Sequence, residues 1–77
     1  MDMDETVQEM EVKRVYNEIV GDLISRLTRK VKFSKGTLTV VLASAALKQE
    51  LTMRRSSLTD RINDALGHVV VTKIIFV

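Results

Sequence analysis

The chain has no cysteine, no proline and no tryptophan, and only one histidine, three glycines and three aromatic residues in 77 positions. Without cysteine there is no disulfide framework and no thiolate metal site. A single histidine, His68, cannot form a histidine cluster, so a zinc finger is excluded. The glycines Gly21, Gly36 and Gly67 are too far apart for either glycine-rich phosphate-binding loop. The serines and threonines occur without a G-x-S-x-G elbow. The carboxylates lie mostly in one amphipathic segment, where a solvated face is their usual meaning. With no convergent catalytic set, no metal cluster and no cofactor loop, the expectation is a protein that is not an enzyme. No uncharged run approaches the roughly 20 apolar residues of a membrane span. The opening Met1-Asp2-Met3-Asp4-Glu5 is acidic and lacks the basic-then-apolar order of a signal peptide. A cytoplasmic protein with no membrane partner is expected.

What is present is a globular mixture, 45% hydrophobic and 29% charged, which is not the signature of disorder. A chain of this length makes one domain, expected over residues 1–77 with residues 1–5 frayed. The net charge of +2 hides an asymmetry. Residues 1–24 hold seven acidic side chains against two basic ones. Residues 25–61 hold nine basic against two acidic, and residues 62–77 balance. A basic block of this kind points to a polyanionic partner.

Hydrophobic periodicity orders the elements. Val12, Tyr16, Ile19, Leu23 and Leu27 recur at helical spacing, with Asp4 or Thr6 as the cap, so a helix is expected up to about Arg29. Gly21 interrupts it and can mark a break between two shorter helices. Lys30-Val31-Lys32-Phe33-Ser34 alternates with period two. Lys35-Gly36 supplies a tight turn, and Thr37 to Leu42 is rich in β-branched residues. Together they predict a β-hairpin, with Lys30 and Lys32 on the face opposite Val31 and Phe33. Ser44 caps the next helix. Leu47, Leu51, Leu58, Ile62 and Leu66 form one stripe, either a single helix over 45–66 or two joined near Arg55, with Ser57 and Asp60 as a capping pair. Gly67 ends it. Val69 to Val77 reads as the last strand. The order helix, strand, strand, helix (or two), strand predicts a two-layer α+β domain with a three-stranded sheet packed on helices.

Tyr16 and Phe33 fall on core-facing positions, so base stacking on aromatics is not expected. What remains is a phosphate-directed surface. Its candidates are Lys30, Lys32 and Lys35 on the hairpin, Arg54 and Arg55 mid-helix, Arg26 and Arg29 one helical turn apart, and Lys48. Glu50 is expected to pair with Arg54 at i,i+4. Asn63 is expected to bond a loop backbone near the helix end.

The sequence also resembles the bacterial DciA-like family, implicated in loading the replicative helicase. The likeness begins at Tyr16-Asn17-Glu18-Ile19-Val20-Gly21, where the family shows W-x-x-V-V-G. It continues through Leu27-Thr28, the hairpin residues 35–40, Ser44, Glu50-Leu51, Leu58, Ile62-Asn63, Gly67 and Ile74-Ile75-Phe76. The resemblance implies a KH-like domain, DNA or RNA affinity, and the replicative helicase as partner. In KH domains a G-x-x-G loop between helices clamps the nucleic-acid backbone. Met53-Arg54-Arg55-Ser56-Ser57 stands there without glycine, so side-chain contacts from Arg54 and Arg55 are expected in its place. The family's tryptophan is Tyr16 in this chain. Longer members carry a tail beyond the domain; if that tail carries helicase contact, this chain is expected to do part of the job. The alternative is a protein-interaction module, a homodimer through the C-terminal strand, with no nucleic-acid role.

Overall fold

The computed structural model describes residues 3–77, with side chains from Val7 onward. The expected fraying of residues 1–5 and capping by Asp4 or Thr6 lie outside the described residues and side chains. Seven elements follow one another: α1 (Met3–Val20), α2 (Asp22–Leu27), β1 (Thr28–Ser34), β2 (Thr37–Leu42), α3 (Ala45–Met53), α4 (Arg55–Leu66) and β3 (Lys73–Phe76). The strands form one sheet in the order β1-β2-β3. β1 and β2 run antiparallel, and β2 and β3 run parallel.

The first helix is broken rather than continuous. Gly21 takes φ 87°, a conformation open to glycine and costly for side chains. Its N–H still donates to Asn17 O at 3.1 Å, and Ser25 Oγ donates to Asn17 Oδ1 at 2.9 Å across the joint. The break rotates the second piece, so Leu23 leaves the core stripe and is 72% exposed. The helix also ends earlier than the periodicity indicates. Thr28 opens β1, its hydroxyl donating to Ile24 O at 2.8 Å. Arg29 is therefore a strand residue and not a helical neighbour of Arg26. It is the extra residue at a shift of register between Thr28, opposite Leu42, and Lys30, opposite Val41.

The hairpin forms as the alternation requires. Lys35 (φ 50°) and Gly36 (φ 83°) both adopt positive φ, the two-residue turn that suits the twist of paired strands. Ser44 Oγ accepts from Leu47 N at 3.2 Å and starts α3. The helical stretch then divides at Arg54, whose N–H donates back to Leu51 O at 3.0 Å. The junction comes before the serines, and Ser57 with Asp60 does not cap α4. Gly67 closes α4 in the left-handed conformation.

The last strand is shorter than its composition predicts. Val69 to Thr72 runs as a loop, and only Lys73–Phe76 is strand. Asn63 accounts for the loop. Its Oδ1 accepts from Val70 N at 2.9 Å and Val71 N at 2.8 Å, and its Nδ2 donates to Val71 O at 2.8 Å. Those main-chain groups are engaged by a side chain and cannot join a ladder.

The helices gather on one face of the sheet. Phe33, Leu38 and Ile74 align across the three strands, as do Val31, Val40 and Phe76. All but the half-buried Val31 are buried, together with Val12, Val15 and Tyr16 from α1, Leu51 from α3, Leu58 and Ile62 from α4, and Val71. This is a two-layer α+β domain.

Candidate nucleic-acid interface

Alternation along each strand sends every second side chain to the face away from the helices. On β1 these are Lys30, Lys32 and Ser34; on β2, Thr37, Thr39 and Val41; on β3, Lys73 and Ile75. None is buried, because no helix lies over them. Among the described residues, the three charged side chains that the strands send to this face are lysines.

The hairpin turn brings two of the basic positions together. Gly36 O accepts from Thr72 N at 2.8 Å, Lys73 N at 3.2 Å and Thr72 Oγ1 at 3.1 Å. Lys35 and Lys73 thus meet at the turn end of the sheet, although 38 residues separate them in the chain. Lys73 also lines a shallow groove with Arg55, Ser56, Thr59, Asp60, Thr72 and Ile74, between the start of α4 and the edge of β3.

The other edge differs. There Lys30 and Lys32 join Arg29 and Lys13 along a groove between α1 and β1. Phe33 N points away from β2 and donates to Glu9 Oε2 at 3.4 Å, and Lys13 lies 3.8 Å from the same carboxylate. Glu9 therefore occupies part of the free edge of β1. At the outer edge of β3, Lys73 N donates to Gly36 O and Val77 N to Val40 O, so the intervening Ile74 and Phe76 turn their main-chain groups away from β2, yet both residues are buried, and Ile74 lines the groove beside α4.

All eight candidate residues named from sequence are exposed: Arg26, Arg29, Lys30, Lys32, Lys35, Lys48, Arg54 and Arg55. They do not form one patch. Lys30, Lys32 and Lys35 belong to the open face and its turn, and Arg29 to the α1–β1 groove. Arg55 stands in the α4–β3 groove. Arg54 lies on the helical side, 2.9 Å from Glu50 as the i,i+4 spacing requires. It lines a groove floored by Ile19, Val20, Ile24, Leu51 and Leu58, with Arg61 on the same rim. Arg26 and Lys48 stand on α2 and α3.

Sequence reasoning missed Lys73 and Arg61. The signal for Lys73 was present: it is the one charge in a run of apolar residues, and it sits out of phase with Ile74 and Phe76. Tyr16, Phe33 and Phe76 are all buried, so no aromatic ring is offered to a base. Among the described residues no group of His, Asp and Glu could hold a metal ion. No described helix is long and apolar enough to cross a membrane.

No curated protein matches the chain. A family model does, the one described as "Dna[CI] antecedent, DciA", over residues 2–76. That match spans the sheet, the helices beneath it and every basic position named above. The chain belongs to the DciA family, which is linked to helicase loading in DNA replication.

Proposed function

We propose that this chain is a non-enzymatic, cytoplasmic nucleic-acid-binding module that serves DNA replication together with the replicative helicase. The observation that carries the reading is the state of its basic residues. All eight candidates are exposed, and among the described residues Arg54 is the one of them held in an ion pair. Cations left without a carboxylate neighbour are free to neutralise phosphates and release their counterions. The burial of all three aromatics makes the recognition backbone-directed, for DNA or RNA alike. A helix-helix-strand-strand-helix-helix-strand order with parallel β2 and β3 supports a KH-like reading of the domain. The apolar groove rimmed by Arg54 and Arg61 supports a protein partner on the opposite side.

Two measurements test this. An anisotropy titration at low salt should show binding to single- or double-stranded nucleic acid that weakens steeply as salt rises. A pull-down should retain the replicative helicase of the same organism. Absence of both sinks the proposal.

The position of β3 at the end of the sheet order supports a second reading, self-association by strand pairing without a nucleic-acid role. Light scattering across a concentration series discriminates: a strict monomer rules it out.

A further inference from the structure

We infer that the nucleic-acid backbone lies across the open face of the sheet, and that Lys73 is a phosphate contact equal to Lys30 and Lys32. This rests on the nucleic-acid reading above and assigns its surface. The argument begins with register. Lys32 lies opposite Thr39, which lies opposite Ile75; Ser34 lies opposite Thr37, which lies opposite Lys73. Strands stand about 4.8 Å apart, so Lys73 is roughly 10 Å across the sheet from β1. Lys30 and Lys32 are about 7 Å apart along β1. Three cations thus frame a shallow surface whose middle strand offers the hydroxyls of Thr37 and Thr39.

Charge separates this face from the rest of the molecule. The three ion pairs among the described residues are Lys13–Glu9, Arg14–Glu18 and Arg54–Glu50, each within one helix. The helical surfaces therefore carry acids close to their bases. Among the described residues the strand positions of the open face supply no acid: Glu9 sits at one edge of the sheet, in a groove with Lys30 and Lys32, and Asp60 at the other, in a groove with Lys73. A polyanion crossing the face meets lysines and threonines, whereas one approaching α3 must displace Glu50 from Arg54. Local neutralisation at Arg54 reduces the counterion release on which such binding depends. With every aromatic in the core, the face reads phosphates and not bases.

The test compares three proteins by anisotropy over a salt series, with labelled oligo(dT) and a labelled mixed-sequence duplex as probes. They are the unaltered chain, Lys30→Gln/Lys32→Gln/Lys73→Gln, and Arg54→Gln/Arg61→Gln. Each lost phosphate contact should flatten the plot of log affinity against log salt by about 0.7–0.9. The triple lysine variant should lose roughly two or more of slope, and the arginine variant much less. Lys73→Gln alone should cost one such step, and Lys73→Arg should restore it. Thermal melting establishes that each variant folds; if the triple variant does not, the Lys73 pair decides. Binding by the unaltered chain, with the slope unchanged by the folded lysine variants, overturns this surface and leaves the nucleic-acid reading standing. No binding by the unaltered chain overturns both.

Discussion

The two faces of the sheet are made by the same three strands and have opposite chemistry. Along β3, Ile74 is fully buried against the helices while Ile75, one residue on, is partly exposed on the open side. Along β1, Phe33 is buried between the exposed Lys32 and Ser34. The inner face holds the fold together and tolerates no unpaired charge. The outer face contributes little to stability and is free to vary its charge. A sheet covered on one side by helices yields this division without further design, because strand alternation allots each residue to one layer or the other. The lesson is that a very small domain can carry a charged surface without altering its core, because the two sets of side chains alternate along each strand.

The sharpest way to break that contrast is one substitution made at two neighbouring positions. Ile74→Ala empties a site in the packed core and should destabilise the protein by about 2–5 kcal/mol. Ile75→Ala removes the same atoms from a partly exposed position and should cost less, about 1–2 kcal/mol. Chemical denaturation of the two variants checks the difference. Equal losses would mean that the outer face is covered by something other than solvent, and the open-face account would fail.

A second loss is expected at Asn63, which joins the helical layer to the loop feeding β3. Asn63→Ala removes three hydrogen bonds and leaves the Val70 and Val71 amides and the Val71 carbonyl to find new partners. A cost of about 2–3 kcal/mol follows, since each such bond contributes about 1 kcal/mol and a stranded buried group costs more. Amide exchange should show faster opening at residues 70–76 than in the β1–β2 hairpin. Uniform acceleration throughout the chain would show that β3 is no more dependent on Asn63 than the other strands.

Smaller effects separate two glycines in similar backbone conformations. A methyl group at Gly36 would lie 2.7 Å from Thr72 Oγ1, whereas at Gly67 it would meet open space. Both have positive φ, which costs a side chain about 1–2 kcal/mol. Gly36→Ala should therefore lose more stability than Gly67→Ala. Combining it with Thr72→Ala should recover part of the excess, a coupling that thermal melts of the four proteins would measure. The open face is implicated directly, because Gly36 and Thr72 fix Lys73 beside the hairpin turn.

Much of this arrangement was legible in the sequence. Period-two alternation around Lys35-Gly36 located the hairpin and assigned Lys30 and Lys32 to the outer face. Ser44, Gly67 and the Glu50–Arg54 pair announced themselves by residue type and spacing. Three features were not legible, each for a physical reason. The helical stripe through Leu23 and Leu27 is real in one dimension, but the joint at Gly21 turns Leu23 out to solvent while Ile24 packs against the core. The run from Val69 has strand composition throughout, yet Asn63, several residues earlier, takes the backbone groups that a strand needs. The eight basic residues are contiguous in charge along the chain and divided in space, because alternation and helix breaks distribute them over four surfaces. Lys73 escaped notice for the converse reason: it is isolated in sequence and joins the lysines only through the parallel pairing of β2 and β3.

The smallest expected effect concerns the inner layer at high pH. Tyr16 lies in the core with its phenol oxygen 3.1 Å from Thr28 Oγ1. Burial raises its pKa above the ordinary 10, and the Thr28 hydroxyl, which can turn its proton toward a phenolate, offsets part of the rise. In the unfolded chain the phenol ionises near 10; in the folded protein it holds its proton to higher pH. Between those values the folded state binds more protons than the unfolded one, so stability falls as pH rises. The contribution is intact below pH 10 and fades above it. Melting temperatures measured from pH 8 to 11.5 should decline more steeply for the unaltered protein than for Tyr16→Phe, which cannot ionise. The lysines of the outer face are exposed, and Lys30→Gln/Lys32→Gln/Lys73→Gln should leave the steepness of that decline in place. A decline that disappears with the lysines and survives in Tyr16→Phe would reverse the assignment of the two faces, placing the pH-sensitive stability outside the core.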